Sequence, residues 1–300
     1  MIKQKQDILT RHSGIILVAP FLIVFLSFII LPIIIAVFLS FTNFNSVEFP
    51  QFVGLGNYIR IFTSDLVFSK NILPNTILYA AIVGPGGYIL SFIMAWLLSQ
   101  LTKLPRTVMA ILYSPSMTAG VTVTTVWRAL FSGDSAGYLN YILLQFGIIQ
   151  EPVTWLQSET FLLPIMIVVA LWSSMGIGFL SMLSGISNVN QELYEAAYLD
   201  GVHNRFQEVI YVTIPSIRPQ MLFGAVMAIV QTFNSTGLGV QLSGSNPTPG
   251  YAGSLVVNHI DDYGFIRYEM GYAAALSVVL LIIIGLISSV AYKLFGDNDN

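Results

Sequence analysis

Six long apolar runs, at residues 14–41, 72–98, 107–131, 161–183, 219–241 and 270–292, dominate this chain, and away from their ends none carries Asp, Glu, Lys, Arg or His. A stretch of about 18 or more apolar residues matches the ~30 Å hydrocarbon core of a bilayer. Inside lipid every backbone N–H and C=O must find a partner within the protein, which leaves helices or closed barrels, and runs of this length select helices. A soluble fold is excluded by composition: 55% of the residues are hydrophobic and 9% charged, against about 25% charged in an ordinary globular domain. The expected fold is therefore an all-α integral membrane protein with six transmembrane helices. Residues 1–13 form an N-terminal segment, 14–295 a six-span domain and 296–300 a tail. The first run is too long for a signal-peptide core and lacks a small-x-small cleavage site, so it reads as an uncleaved anchor. Pro20 and Pro32 are placed to bend or shorten it.

Orientation follows from counting Lys and Arg in the connecting segments. Lys3, Lys5, Arg11, Lys103, Arg106, Arg205, Arg218 and Lys293 fall on one side, and Arg60, Lys70, Arg128 and Arg267 on the other. The richer side is expected to be cytoplasmic, together with both termini, in a bacterial-type cytoplasmic membrane. Several chemistries drop out. With no Cys there is no thiolate nucleophile or thiolate metal site. His12, His203 and His259 sit on different segments, so no metal site is expected. The scattered basic residues give no nucleic-acid face. The spans lack the intramembrane ionisable groups that proton pumps and ion-coupled carriers use. None of the lysines is followed by Ser or Thr, so there is no phosphate-binding Gly-Lys-Ser/Thr loop. The chain is expected to be neither enzyme nor engine, with no cofactor of its own.

One polar segment, residues 184–219, interrupts the apolar runs on the cytoplasmic side. Asn188 or Asn190 can cap a helix start, Glu192 and Glu195 suit its positive end, and Gly201 can take the left-handed stop. The spacing predicts a short helix from about 191 to 200, with Leu193, Ala196, Ala197 and Asp200 on one face. A second helical piece from about 203 to 211 is expected to end before Pro215, because the residue ahead of a proline resists the helical region. Elsewhere Gly84-Pro85-Gly86-Gly87 and Ser114-Pro115-Ser116 weaken the second and third runs near mid-membrane, and interrupted helices point to transport sites.

Glu195-Ala196-Ala197, then Gly201, then Ile214-Pro215 resembles the coupling loop of permease subunits of binding-protein-dependent ABC importers, with Ile where that signature has Leu. Phe52-Val-Gly-Leu-Gly-Asn-Tyr58, after the first run, is similar to a pattern of the sugar-importing branch, and Asn75-Thr76 opens the second run as it often does there. Phe52, Tyr58 and Phe62 suit a membrane interface. The resemblance implies a type I ABC importer permease with a cytoplasmic coupling helix, related to permeases for maltose, other oligosaccharides and glycerol phosphate. It further implies a second, usually different, permease subunit, two ATP-binding subunits that hold ATP and Mg, and an extracellular or periplasmic solute-binding protein. Glu195, Ala196, Ala197, Asp200, Gly201 and Pro215 are then the candidates for ATPase coupling. For the substrate pathway the candidates are Tyr113, Trp172, Gln231 and Asn234, since a sugar needs hydrogen-bond partners and an aromatic ring to stack on. The competing reading is an autonomous secondary carrier or channel whose polar loop is merely structural; co-purification of an ATPase separates the two.

Overall fold

The computed structural model describes residues 17–101, 105–118, 120–233, 235 and 237–295; the expected terminal segments 1–13 and 296–300, and Asn234 of the candidate pathway, lie outside them. Among the described residues the chain is helical, with an isolated antiparallel bridge between Thr42 and Phe52. In order the helices are α1 (Leu17–Leu39), α2 (Gly56–Thr63), α3 (Phe68–Ser99), α4 (Pro105–Met117), α5 (Gly120–Leu130), α6 (Tyr138–Gln145), α7 (Leu162–Trp172) and α8 (Ile177–Ser187). They continue as α9 (Gln191–Leu199), α10 (Arg205–Ser216), α11 (Arg218–Phe233), α12 (Leu238–Ser243), α13 (Val256–Asp261) and α14 (Met270–Phe295). Four stretches are long and apolar enough to cross a membrane: α1, α3, α7 with α8, and α14. The pair α10 and α11, bent by 85°, makes a fifth if taken as one.

The helix-weakening residues act differently from one another. Gly84-Pro85-Gly86-Gly87 does not interrupt α3, which runs on through Pro85. Its glycines thin the helix instead: a Cβ on Gly87 would lie 2.9 Å from the Cβ of Ser174, and one on Gly86 3.1 Å from Leu171 Cδ2. In α4 the chain stays helical past Pro115 to Met117. Pro115 has no N–H for the Ile111 carbonyl, and the Ser114 hydroxyl donates to it at 3.1 Å in its place. The fourth apolar run is broken where no proline stands. Ser173 leaves the helical region and Gly176 opens α8 with φ −101° and ψ −143°. The Ser174 carbonyl in this break accepts from Gly176 N at 2.8 Å and from the Ser91 hydroxyl of α3 at 3.4 Å, which meets the demand of lipid that no carbonyl be left alone.

The expectation that the helix after Gly201 stops before Pro215 is corrected. α10 continues through Pro215 to Ser216. The reason is a wide turn: Val209–Thr213 is π-helical, and Ile214 holds φ −58° and ψ −50° ahead of the proline. A π-turn, with its i→i+5 bonds, reorganises the carbonyls that Pro215 would otherwise leave unmatched. The fifth run is also divided, since α11 ends at Phe233 and a left-handed Gly237 (φ +77°) starts α12.

The chain separates into two compact units. Unit 1 holds the first 64 residues and 260–279. Here Asn57 of α2 donates to the carbonyls of Ser40 and Thr42, each at 2.8 Å, and so caps the end of α1. Tyr58 hydrogen-bonds the Ser40 hydroxyl at 2.7 Å and is turned inward. Arg60 pairs with Glu269 and lies over the rings of Tyr263 and Tyr272, 5.4 and 4.3 Å from their centroids. The Glu269 hydrogen bond holds the guanidinium above its already high ordinary pKa, so the cation is permanent.

Unit 2 holds 65–259 and 280–300. α3 packs against α7, α8 and α11, and α8 against α11. One core cluster gathers Tyr79, Leu162, Met166, Val169 and Leu242; a second gathers Ala95, Phe179, Met182, Ile217 and Met221. α8 and α11 approach closely where Gly178 faces Gly224, a Cβ on Gly178 falling 3.2 Å from Gly224 Cα. Small residues at such crossings let backbones meet, which is how helices gain packing energy in lipid. Gly178→Val is expected to destabilise unit 2 by about 1–3 kcal/mol through overpacking. The check is a melting temperature in detergent lower by several degrees; an unchanged value would show that this crossing is not tight.

Candidate functional site

Between the two core clusters of unit 2 lies a cavity of about 420 Å³. α3 contributes a line of residues at i+4 spacing, Tyr79, Val83, Gly87 and Ser91, with Tyr88 beside it. The break between α7 and α8 contributes Ser173 and Ser174, α4 and α5 contribute Ser116 and Thr124, and α11 with its continuation contributes Gln231, Thr232 and Ser235; Gln241 comes from α12. No Asp, Glu, Lys, Arg or His lines it among the described residues.

Hydroxyl orientation gives the cavity a definite chemistry. Ser116 donates to Tyr113 O at 2.8 Å, Thr124 to Gly120 O at 2.9 Å, Ser174 to Leu171 O at 2.7 Å, Thr232 to Ala228 O at 2.7 Å and Ser235 to Gln231 O at 2.9 Å. Each proton is engaged by the residue's own helix, so the oxygen lone pairs are what these groups can offer a ligand. The wall is thus rich in acceptors, and the amides of Gln231 and Gln241 supply donors. Among the described residues the Gln231 side chain makes no hydrogen bond within the protein. Gly176 makes room for it: a Cβ there would lie 2.7 Å from Gln231 Nε2. The buried Tyr79 hydroxyl faces Ser235.

Of the four pathway candidates, Gln231 is brought to this cavity. Tyr113 packs against the second core cluster. Trp172 is half-exposed and meets Trp127 edge-on, with ring centroids 5.5 Å apart. Tyr79, Ser91, Ser174 and Gln241 were not singled out by sequence, although the i+4 line on α3 was readable there.

The polar segment forms the expected short helix. Asn190 caps α9 by accepting from Glu192 N at 3.1 Å, with Glu192 in the first turn. At the other end Gly201 has φ +95°, its N–H bonds Tyr198 O at 3.2 Å, and Val202 N bonds Ala197 O at 3.0 Å. These two bonds make a Schellman stop, satisfying carbonyls that the helix leaves over. Tyr194 anchors α9 to α10 through the Thr213 hydroxyl at 3.0 Å. Glu195, Ala196, Asp200 and Gly201 are exposed and Ala197 half-exposed, while Pro215 lies in the last turn of α10. Leu193, Leu199 and Phe206 add exposed apolar side chains. No residue of α9 is buried.

No family model matches the chain. Individual relatives do. It is 31% identical over 279 residues to the arabinooligosaccharides transport system permease protein AraP of Bacillus subtilis, covering 93% of this chain and 87% of that one. It is 27% identical over 284 residues to the lactose transport system permease protein LacF of Rhizobium radiobacter, covering 92% and 91%. Its fold matches a chain of a bacterial ABC transporter involved in import of the acidic polysaccharide alginate, with a TM-score of 0.79 at 21% identity over 99% of this chain and 100% of that one. At 31% identity over nearly the whole chain, this protein belongs to the permease subunits of ABC transporters. Within that class it belongs to the sugar permeases. Such subunits are not enzymes; ATP hydrolysis sits in separate subunits.

Proposed function

We propose that this chain and a second permease subunit form the membrane pathway of an importer for an oligosaccharide, working by alternating access. Two ATP-binding subunits, which hold ATP and Mg, drive it through α9, and a solute-binding protein outside the membrane delivers the sugar. Six crossings from 14–295 make up the pathway subunit, the third being α4 with α5 and the fifth α11, and the Lys/Arg bias places α9 and both termini in the cytoplasm. The uncharged, acceptor-rich cavity beside the α7–α8 break carries this reading, because sugar hydroxyls donate to such a wall while a neutral ring requires no counter-charge. The arabinooligosaccharide and lactose permeases among its relatives support the same substrate class. The exposed, apolar and rigidly capped α9 supports a docking role for Glu195, Ala196, Ala197, Asp200 and Gly201, with Pro215 closing the segment behind them. ATP binding drives transport only if the subunits it closes hold one arrangement of α9 more tightly than the other.

Gln231→Ala tests the cavity. Losing one hydrogen bond to substrate at ~0.5–1.5 kcal/mol raises the KM for uptake about 2- to 12-fold, with ATP hydrolysis by the assembled transporter still stimulated. An unchanged KM together with a lower melting temperature would make Gln231 a packing residue and move the sugar elsewhere.

A further inference from the structure

We infer that α2 is a membrane-surface helix, lying in the lipid headgroup region where α1 leaves the bilayer. α2 is two-faced. Ile61 is fully buried and Asn57 and Tyr58 point inward, whereas Leu55, Ile59 and Phe62, at i, i+4 and i+7, are 61%, 60% and 62% exposed. Phe52, just before the helix, is 76% exposed. Three large apolar side chains on one side of so short an element, with Phe52 exposed just ahead of it, form a surface that water does not favour.

The hydrogen bonds set the depth of this face. Asn57 donates to the carbonyls of Ser40 and Thr42, Val53 N donates to Phe41 O at 2.8 Å, and Gly271 N at the start of α14 donates to Phe44 O at 2.9 Å. α2 is therefore strapped to the point where one apolar crossing ends and another begins. It is tied to the end of α1, an apolar crossing none of whose residues is buried, so the exposed face continues an apolar surface that water does not favour. The charged groups Arg60 and Glu269 stay on the protein side, paired with each other. A helix with one apolar face and a paired polar face at that level sinks its apolar side ~5–10 Å into the headgroup and acyl boundary.

The chain has no Cys, so single cysteines report without background. Ile59→Cys, Phe62→Cys and, as a reference in the loop that no helix covers, the 89%-exposed position of Val47→Cys are labelled with a bimane fluorophore in the assembled transporter reconstituted into phosphatidylcholine vesicles. Lipid brominated on the acyl chain near the headgroup is expected to quench positions 59 and 62 about threefold or more beyond position 47, and aqueous iodide the reverse, as burial at that depth requires. Iodide quenching at 59 and 62 equal to that at 47 would put the face in water. Protection from both quenchers would put a protein, whether the second permease or the solute-binding protein, on it. Either result overturns the inference, and neither bears on whether the cavity of unit 2 takes sugar.

Discussion

A transporter carrying Gly201→Val is expected to insert in normal amounts and to take up less than about a tenth of the sugar, while Gly201→Asn keeps substantially more. Gly201 has φ +95°, and a Cβ there would meet nothing within 4 Å, so any penalty comes from the backbone alone and not from a clash. A β-branched residue at positive φ is a genuine outlier, and such strain costs about 1–3 kcal/mol. The chain relieves it by unwinding the Schellman stop, losing the bonds from Gly201 N to Tyr198 O and from Val202 N to Ala197 O. α9 is held elsewhere by its Asn190 cap, the Tyr194–Thr213 bond and the edge-on contact of Tyr198 with the His203 ring at 4.8 Å, and with its stop unwound its last turn ceases to present Ala196, Ala197 and Asp200 as one surface. Each 1.4 kcal/mol against the docking-competent form lowers its population tenfold. Asn visits the left-handed region more readily, which is why it separates torsional strain from side-chain size. The measurement is labelled-sugar uptake per transporter quantified in the membrane. Normal uptake by the valine variant would show that α9 transmits nothing, and the autonomous-carrier reading would regain its ground.

The parts of this protein that were legible in its sequence are those decided within one or two turns. The Asn190 cap, the Gly201 stop and the length of α9 all depend on neighbours a few residues away, and single-residue preferences there are strong. The same local logic failed at Pro215 because a π-turn four residues earlier changed the bonding pattern, and nothing in Val209-Ile-Tyr-Val-Thr213 signals it. It failed again at Ser173-Ser174-Met175-Gly176, where the break is sustained by Ser91 from another helix, 83 positions away from Ser174. The cavity inherits that difficulty. Gln231 stands out as a polar group in an apolar run, but Ser174 and Gln241 join it through contacts that no spacing encodes. Tyr113 and Trp172 have the chemistry for a sugar, and the structure points them at other surfaces.

Asp65→Ala is expected to be the most destabilising polar substitution in unit 2, lowering stability by about 3–5 kcal/mol. Asp65 and His259 are 194 positions apart, yet Nε2 of the imidazole and Oδ2 of the carboxylate meet at 2.8 Å with both side chains 95% removed from solvent. The other oxygen, Oδ1, accepts the Phe68 N–H at 2.8 Å and so caps the start of α3, while the His259 ring leans on Phe68 with centroids 5.9 Å apart. An ionised carboxylate can only accept, which fixes the proton on Nε2. Removing Asp65 strands a buried imidazole N–H and an N-terminal amide of α3 together, and desolvated donors without partners are far more costly than the bond itself is worth. Asp65→Asn keeps an acceptor for Phe68 N and turns an NH2 donor toward Nε2, which the imidazole meets by carrying its proton on Nδ1 instead, and it is expected to recover more than half of the loss. His259→Ala takes the imidazole away from a carboxylate that stays buried and should approach Asp65→Ala in effect. Melting of the purified transporter in lipid nanodiscs separates these outcomes. Equal and small shifts for all three variants would mean that water reaches the pair, and that the Val256 N–H bond to the Thr76 hydroxyl at 3.0 Å and apolar packing suffice to join α3 and α13.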